Sequence, residues 1–115
     1  MPTQLRLLKG TFEVLILKTL SWGPAHGYAI SRWIRQTSDD DLKIEEGALY
    51  PALRRLEERG WVGSEWRTNE TGHETRVYTL TAAGRRALRQ EVAEWQRYVA
   101  AFARVLDARP EAALT

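Results

Sequence analysis

The longest periodic segment of the sequence, residues 81–107, carries an apolar seam that limits the folds open to the chain. Apolar side chains recur there alternately every four and every three residues, which is the spacing of a helix that packs along one narrow stripe. The seam consists of Leu88, Val92, Trp95, Val99, Phe102 and Leu106. Soluble chains avoid exposing such a stripe, and a chain of 115 residues offers no further segment to cover it. We therefore expect these six residues to form a dimer interface, assisted by residues 4–9.

A two-fold dimer along this seam would place two copies of the remaining sequence side by side. The seam also contains Trp95, one of five tryptophans in the chain. An indole ring at the centre of a dimer can stack on a flat ligand as well as pack against apolar neighbours. Trp95 is therefore also a candidate residue for an effector pocket between the subunits.

Hydrophobic periodicity predicts three more helices before the seam. Residues 5–21 are apolar nearly all round, which predicts a buried helix with Thr11 as its N-cap. Residues 26–37 and 46–59 each place apolar side chains on one face, which predicts two amphipathic helices. The apolar faces are Ile30, Trp33 and Ile34 in the former and Leu49, Leu53 and Leu56 in the latter.

Short strands are predicted at three places. Residues 42–44 alternate apolar and polar side chains, and residues 61–66 and 75–80 flank a polar loop as the strands of a hairpin. The resulting order of elements is that of a winged helix-turn-helix, so we expect a mainly α fold with a small β-hairpin. We assign residues 1–80 to this DNA-binding unit, 81–107 to a C-terminal dimerisation helix and 108–115 to a frayed tail.

Composition excludes several classes of function. The chain has no cysteine and only two histidines, in different elements, which excludes a thiolate site and gives no metal-ligand cluster. No catalytic set and no glycine-rich phosphate loop is present, so we expect neither an enzyme nor a cofactor. No run of about 18 apolar residues spans a membrane, and no secretion signal is indicated. We expect a cytoplasmic protein.

The helix predicted at residues 46–59 is the candidate reader of DNA. In a helix-turn-helix, the N-terminal part of the second helix enters the major groove. Arginine is suited to phosphates and guanine edges, and 14 of the 17 basic residues are arginines. The face opposite the leucines offers Gly47, Ala48, Tyr50, Pro51, Arg54 and Arg55. Alternatively, the arginines only solvate this face and pair with nearby glutamates. Pro51 predicts a helix that starts near residue 48, with the proline in its first turn.

The hairpin is the candidate wing, which would lie along the DNA backbone or enter the minor groove. It carries Arg67 and Arg76, which we include among the DNA-binding residues. It also carries Glu70 and Glu74, so its charge is mixed.

Three segments of the chain resemble the PadR-type transcriptional regulators, over nearly its whole length. They are LLKGTFEVLILKTLSWGPAHGYAI, EEGALYPALRRLEERGWV and TRVYTLTAAGRRAL. The single last helix is similar to that of the compact subgroup of the family. The resemblance implies a homodimeric winged-helix repressor, with Tyr50 and the arginines after it facing the operator. In some members the dimer centre binds planar aromatic compounds, which implies a small aromatic ligand near Trp95. The wing departs from the family pattern, because Arg76 is alone and Val77 replaces an aromatic residue.

These observations predict a homodimeric transcriptional regulator that binds double-stranded DNA at a pseudo-palindromic promoter site, represses transcription and is released by a small aromatic effector. Two alternatives remain open. One is a small-molecule sensor without strong DNA binding. The other is a winged-helix adaptor that binds proteins, which the acidic residues near the expected DNA face favour.

Overall fold

The computed structural model describes residues 10–110, so residues 4–9 of the predicted interface and the end of the predicted tail lie outside the described residues. Within this range the chain forms four helices and one three-stranded sheet. The elements are α1 (Thr11–Leu20), β1 (Ala25–His26), α2 (Gly27–Thr37), α3 (Glu46–Glu58), β2 (Val62–Thr68), β3 (Glu74–Leu80) and α4 (Ala82–Asp107). This architecture confirms the predicted mainly α, winged helix-turn-helix fold with a long last helix.

The core lies between α1, α2, α3 and the inner face of the hairpin. Helix α1 passes through its centre, and Ile16 and Leu17 are fully buried. The three predicted leucines of α3 are buried as well, as are Ile30 and Ile34 of α2. Trp33, predicted on the same face of α2, is partly exposed. Among the seam residues, Leu88 is buried in this core and Val92 packs against it. The first part of α4 is therefore held by its own chain.

The sheet differs from the prediction in its third strand. Residues 42–44 form no strand; Ile44 is buried, and its burial explains the alternation in the sequence. The third strand is instead β1, where Ala25 pairs with Tyr78 and His26 with Val77 of the central strand β3. His26 thus ends a strand and caps α2, since its Nδ1 accepts a hydrogen bond from the backbone N–H of Ala29 at 3.2 Å. Two residues are too few to show a strand periodicity.

Pro51 lies deeper in α3 than predicted. The helix begins at Glu46, so Pro51 belongs to its second turn and the predicted start near residue 48 is wrong. Proline has no N–H to donate to the carbonyl of Gly47. Gly47 is exposed, and solvent can satisfy that carbonyl, which keeps the cost of the missing bond low.

Gly10 and Thr81 are the N-caps of α1 and α4. Gly10, with a φ of 88°, is the N-cap of α1, so the prediction of Thr11 as the N-cap is wrong. At the other end of the fold, the Thr81 hydroxyl accepts a hydrogen bond from the N–H of Gly84 at 3.0 Å and donates one to the carbonyl of Gly60 at 2.7 Å. Thr81 therefore caps α4, as predicted, and ties it to the end of α3.

None of the described helices is both long and apolar enough to cross a lipid bilayer.

Candidate nucleic-acid interface

The exposed face of α3 carries part of the predicted reading set. Gly47, Tyr50 and Arg54 are exposed, whereas Ala48 and Pro51 are half-buried. The Arg54 guanidinium forms no hydrogen bond or ion pair with any residue between 10 and 110. It is therefore a cation held on a rigid helix with its donors available to a ligand.

Arg55, the next residue, points to a different part of the molecule. Its Nε and Nη2 atoms donate to the same carboxylate oxygen of Glu13 in α1, at 3.1 and 2.9 Å. Glu13 is largely buried, with a side chain 13% exposed. The pair lies in a groove of about 600 Å³ that Phe12, Trp61 and Glu91 also line. Arg55 thus joins α3 to α1 and lies apart from the exposed face of Arg54.

The strand register divides the two wing arginines between the faces of the hairpin. Trp66 pairs with Arg76 and Ser64 with Tyr78, so these side chains share the inner face, which packs on α3. Arg67 pairs with Thr75 and lies on the outer face. There its Nε donates to a carboxylate oxygen of Glu65 at 2.7 Å.

Arg76 is already engaged within the chain. Its Nε donates to the Ser64 hydroxyl at 3.0 Å, and its Nη2 lies 3.4 Å from both carboxylate oxygens of Glu57 in α3. The guanidinium carbon lies 5.8 Å from the ring of Trp66 and 5.9 Å from that of Tyr78. Burial raises the pKa of Tyr78, and the charge of Arg76 partly opposes this shift. Arg76 therefore fixes the hairpin to α3.

Several aromatic side chains converge beside these residues in a cleft of about 630 Å³. We call it the aromatic cleft; its walls include His26, Tyr28, Tyr50, Trp66, Glu74, Arg76 and Tyr78. Gly27 lies directly beneath the ring of Tyr50, because a Cβ atom at that position would come within 2.8 Å of the Tyr50 Oη. The HGY segment and the LYP segment therefore meet in space, and the glycine makes room for the tyrosine.

Beyond Val92, α4 leaves the core and its apolar side chains are exposed. Trp95, Val99, Phe102 and Leu106 of the predicted seam all lie on this part of the helix. The Trp95 and Tyr98 rings stack with centroids 5.3 Å apart, and the Tyr98 and Phe102 rings are 5.9 Å apart. We call the exposed stripe the α4 ridge; it comprises Trp95, Tyr98, Val99, Phe102, Val105 and Leu106.

The described residues contain no cluster of three potential metal ligands among histidine, cysteine, aspartate and glutamate.

The model of the PadR-like transcriptional regulator family matches residues 16–90, which include α2, α3 and the hairpin. The chain belongs to the PadR-like family. Members of this family are transcriptional regulators, which confirms the prediction that the chain is not an enzyme.

Solved structures and a curated relative agree with this assignment. A PadR family regulator from Eggerthella lenta is 33% identical, with a TM-score of 0.73 over 88% of this PadR-like chain and 86% of the other. The transcriptional regulator Rv3488 of Mycobacterium tuberculosis is 42% identical over 60 residues, which are 51% of this chain and 55% of the relative. Bacillus subtilis PadR in complex with operator DNA is 24% identical, with a TM-score of 0.66 over 74% of this chain and 48% of that one. At that identity the likeness shows the fold alone.

The eight predicted DNA-binding residues of this PadR-like chain thus fall into separate groups. Gly47, Tyr50 and Arg54 are exposed on α3, whereas Ala48 and Pro51 of the same helix are half-buried. Tyr50 and Arg76 line the aromatic cleft, and Arg55 and Arg67 form ion pairs elsewhere. Sequence reasoning missed Tyr28 and Trp66 as members of the cleft and Tyr98 as a member of the ridge. The HGY motif contained a signal for Tyr28, but the position of Trp66 depends on the strand register.

Proposed function

We propose that this PadR-like chain is a homodimeric repressor that binds double-stranded DNA at a pseudo-palindromic promoter site in the cytoplasm. The observation that carries the proposal is the Arg54 guanidinium, which has no partner among residues 10–110 and lies on the same exposed face of α3 as Gly47. A small residue allows close approach of the helix to DNA, and arginine can donate two hydrogen bonds to guanine. The complex of Bacillus subtilis PadR with operator DNA supports the same class of ligand.

The α4 ridge supports the dimeric state. Its six side chains are all at least 38% exposed, and apolar patches of this kind are typical of interaction sites. A second copy offers the same stripe, and a two-fold arrangement lets identical stripes pack on each other. The two α3 helices of such a dimer would read half-sites separated by about one helical turn of DNA, roughly 34–36 Å, or a multiple of it.

The decisive experiment is footprinting on the DNA upstream of the chain's own gene, followed by fluorescence anisotropy on the protected duplex. Arg54→Ala is expected to weaken binding to this duplex by about tenfold or more, because a bidentate contact with guanine is worth about 1–3 kcal/mol. Arg109→Ala is the matched control, since Arg109 is an exposed arginine beyond the end of α4. Equal affinities for wild type and Arg54→Ala would contradict α3 as the reader.

Salt dependence separates this proposal from an adaptor that binds only proteins. The logarithm of the DNA affinity should fall linearly with the logarithm of the salt concentration, because phosphate contacts release counterions. Absence of binding to any fragment of the chain's own genome would favour the adaptor.

A small aromatic effector is a second proposal, favoured by the stack of Trp95, Tyr98 and Phe102 on the α4 ridge. Exposed aromatic rings can stack on a further flat ring. Planar aromatic compounds should quench tryptophan fluorescence and shift the DNA affinity. Trp95→Phe should lose the quenching while it retains the fold. No quenching by a broad panel of compounds would contradict the effector.

A further inference from the structure

The aromatic cleft separates the two elements with which a winged helix contacts neighbouring grooves of DNA. One of its walls is formed by the start of α2 and by Tyr50 in α3. The other is the inner face of the hairpin, where Trp66 and Arg76 are cross-strand partners. The cleft is therefore a gap between the candidate reading helix and the candidate wing.

On a duplex, the major groove and the adjacent minor groove are separated by one sugar–phosphate strand. A helix in the first groove and a hairpin at the second must leave room for that strand between them. We propose, resting on the DNA-binding function proposed above, that the aromatic cleft seats this strand and that Tyr28, Tyr50 and Trp66 bind it through uncharged hydrogen-bond donors.

The donors of these three side chains are available. The Tyr28 and Trp66 side chains are 62% and 63% exposed, and Tyr50 is exposed as well. Neither the two tyrosine hydroxyls nor the Trp66 indole N–H forms a hydrogen bond with any residue in the range 10–110. Phosphate oxygens are strong acceptors, and tyrosine hydroxyls and other uncharged donors commonly bind them in protein–DNA complexes. The flat face of Trp66 offers apolar contact to a deoxyribose ring.

The charged groups that line the cleft are either paired or negative, so its uncharged donors are the groups available to bind a phosphate. Arg76 is the one arginine that lines the cleft among the described residues, and it is engaged by Ser64 and Glu57. Glu74 adds a carboxylate to the wall. The cleft therefore lacks the unpaired cation that dominates most phosphate sites. Its contribution to affinity should depend little on salt, because no counterion is released when an uncharged donor binds a phosphate.

The experiment compares variants that each lack one hydrogen-bond donor, by fluorescence anisotropy on the footprinted duplex and on a scrambled duplex, over a salt series. Tyr28→Phe and Trp66→Phe are each expected to weaken binding by about tenfold, or about 1.4 kcal/mol, because each variant loses one hydrogen bond to a charged phosphate. The loss should be equal on both duplexes and leave the salt slope unchanged. Trp22→Phe is the matched control, because Trp22 is an indole that is 71% exposed and lies outside both the aromatic cleft and the α4 ridge.

A second measurement identifies the phosphate. Single methylphosphonate substitutions, which remove the charge of one phosphate, are scanned through the duplex. At the position that the cleft seats, the substitution should weaken wild-type binding several-fold but have little further effect on the Tyr28→Phe, Trp66→Phe double variant. Additive losses at every position would overturn the proposal.

The outcomes also separate this inference from the function on which it rests. If Arg54→Ala loses affinity while Tyr28→Phe and Trp66→Phe bind as wild type does, DNA binding stands and the cleft does not seat the strand. If the wild-type chain binds no DNA, both proposals fail. Quenching of Trp66 by a flat aromatic compound, with unchanged DNA affinity of Trp66→Phe, would assign the cleft to a small molecule and overturn the proposal. Unchanged thermal unfolding would verify that the variants remain folded.

Discussion

Arg54 and Arg55 are neighbours of the same type on one helix, yet their surroundings give them different roles. Arg54 is exposed and has no partner among residues 10–110. Arg55 donates two hydrogen bonds to Glu13, whose carboxylate is mostly withdrawn from solvent. A carboxylate in that position needs its partner, because the remaining water around it is limited. The two arginines therefore differ in role because only Arg55 has a partner on α1.

Arg55→Ala should consequently act on stability rather than on DNA binding. Removal of the guanidinium leaves Glu13 without its two charge-assisted hydrogen bonds, and we expect the free energy of unfolding to fall by about 1–2 kcal/mol. Urea unfolding measures this loss. Arg54→Ala should change that free energy by less than about 0.5 kcal/mol, because its side chain contacts solvent. The reverse pattern, with Arg55→Ala stable and deficient in DNA binding, would contradict the assignment.

At the scale of elements, the junction between α3, β2 and α4 depends on two residues of the TAAG segment. The Thr81 hydroxyl accepts a hydrogen bond from the N–H of Gly84 and donates one to the carbonyl of Gly60. The backbone N–H of Thr81 donates to the carbonyl of Trp61 at 3.1 Å. Gly84 is buried against that same backbone carbonyl of Trp61. The start of α4 is thus fixed to the start of the hairpin, which sets the direction in which α4 leaves the core.

Gly84→Ala is expected to destabilise the fold by about 2–3 kcal/mol. A Cβ atom at this position would collide with the carbonyl oxygen of Trp61 and with Leu80, and a backbone atom cannot move away as a flexible side chain can. Thermal or urea unfolding measures the loss. Gly47→Ala is the matched control: no atom lies within 4 Å of its added Cβ. Higher helix propensity should then raise stability by up to about 1 kcal/mol. Equal effects of the two substitutions would refute the steric argument.

Helices α2, α3 and α4 were predictable from sequence because each carries apolar side chains along one side and polar side chains along the other. The predicted ranges 26–37, 46–59 and 81–107 differ from the observed ones by a single residue at one end. Alternation at residues 42–44 was misleading, since one buried side chain, Ile44, produces the same pattern as a strand. The β1 strand has two residues and is defined only by its pairing with β3. Local periodicity contains no information on such a pairing.

The candidate site was predictable only in part, because local periodicity contains no information on contacts between distant elements. The exposed side of α3 follows from the positions of its leucines, so Gly47, Tyr50 and Arg54 were identified correctly as exposed. The pairing of Arg55 with Glu13 joins residues 42 positions apart and depends on how α1 packs on α3. The assembly of Tyr28, Tyr50 and Trp66 in one cleft depends on three elements at once.

At the scale of the whole molecule, α4 divides into a part that belongs to the core and a part that leaves it. Leu88 is buried in the chain's own core, and Val92 packs against that core. From Trp95 onward the apolar positions are exposed, and Val105 reaches 76%. One continuous heptad pattern in the sequence therefore serves two surfaces. The core covers the first, and a second copy of the chain is the proposed cover of the second.

Phe102→Glu should therefore separate the two subunits while each remains folded. Phe102 is 54% exposed at the middle of the α4 ridge, and a charge there would be buried without a partner in the dimer. We expect a monomer mass by light scattering after gel filtration, and a helical circular dichroism spectrum like that of wild type.

Ala100→Glu is the matched control on the same helix. At about 100° per residue, position 100 lies on the side of α4 away from the ridge, and Ala100 is exposed, so this variant should keep the dimer mass. On a duplex with two half-sites, Phe102→Glu should bind weakly and without cooperation between the sites, because the gain from linking two reading helices is lost. A duplex with one half-site should bind Phe102→Glu and Ala100→Glu about equally. A dimeric Phe102→Glu variant with full affinity for both duplexes would show that the ridge is not the contact between subunits.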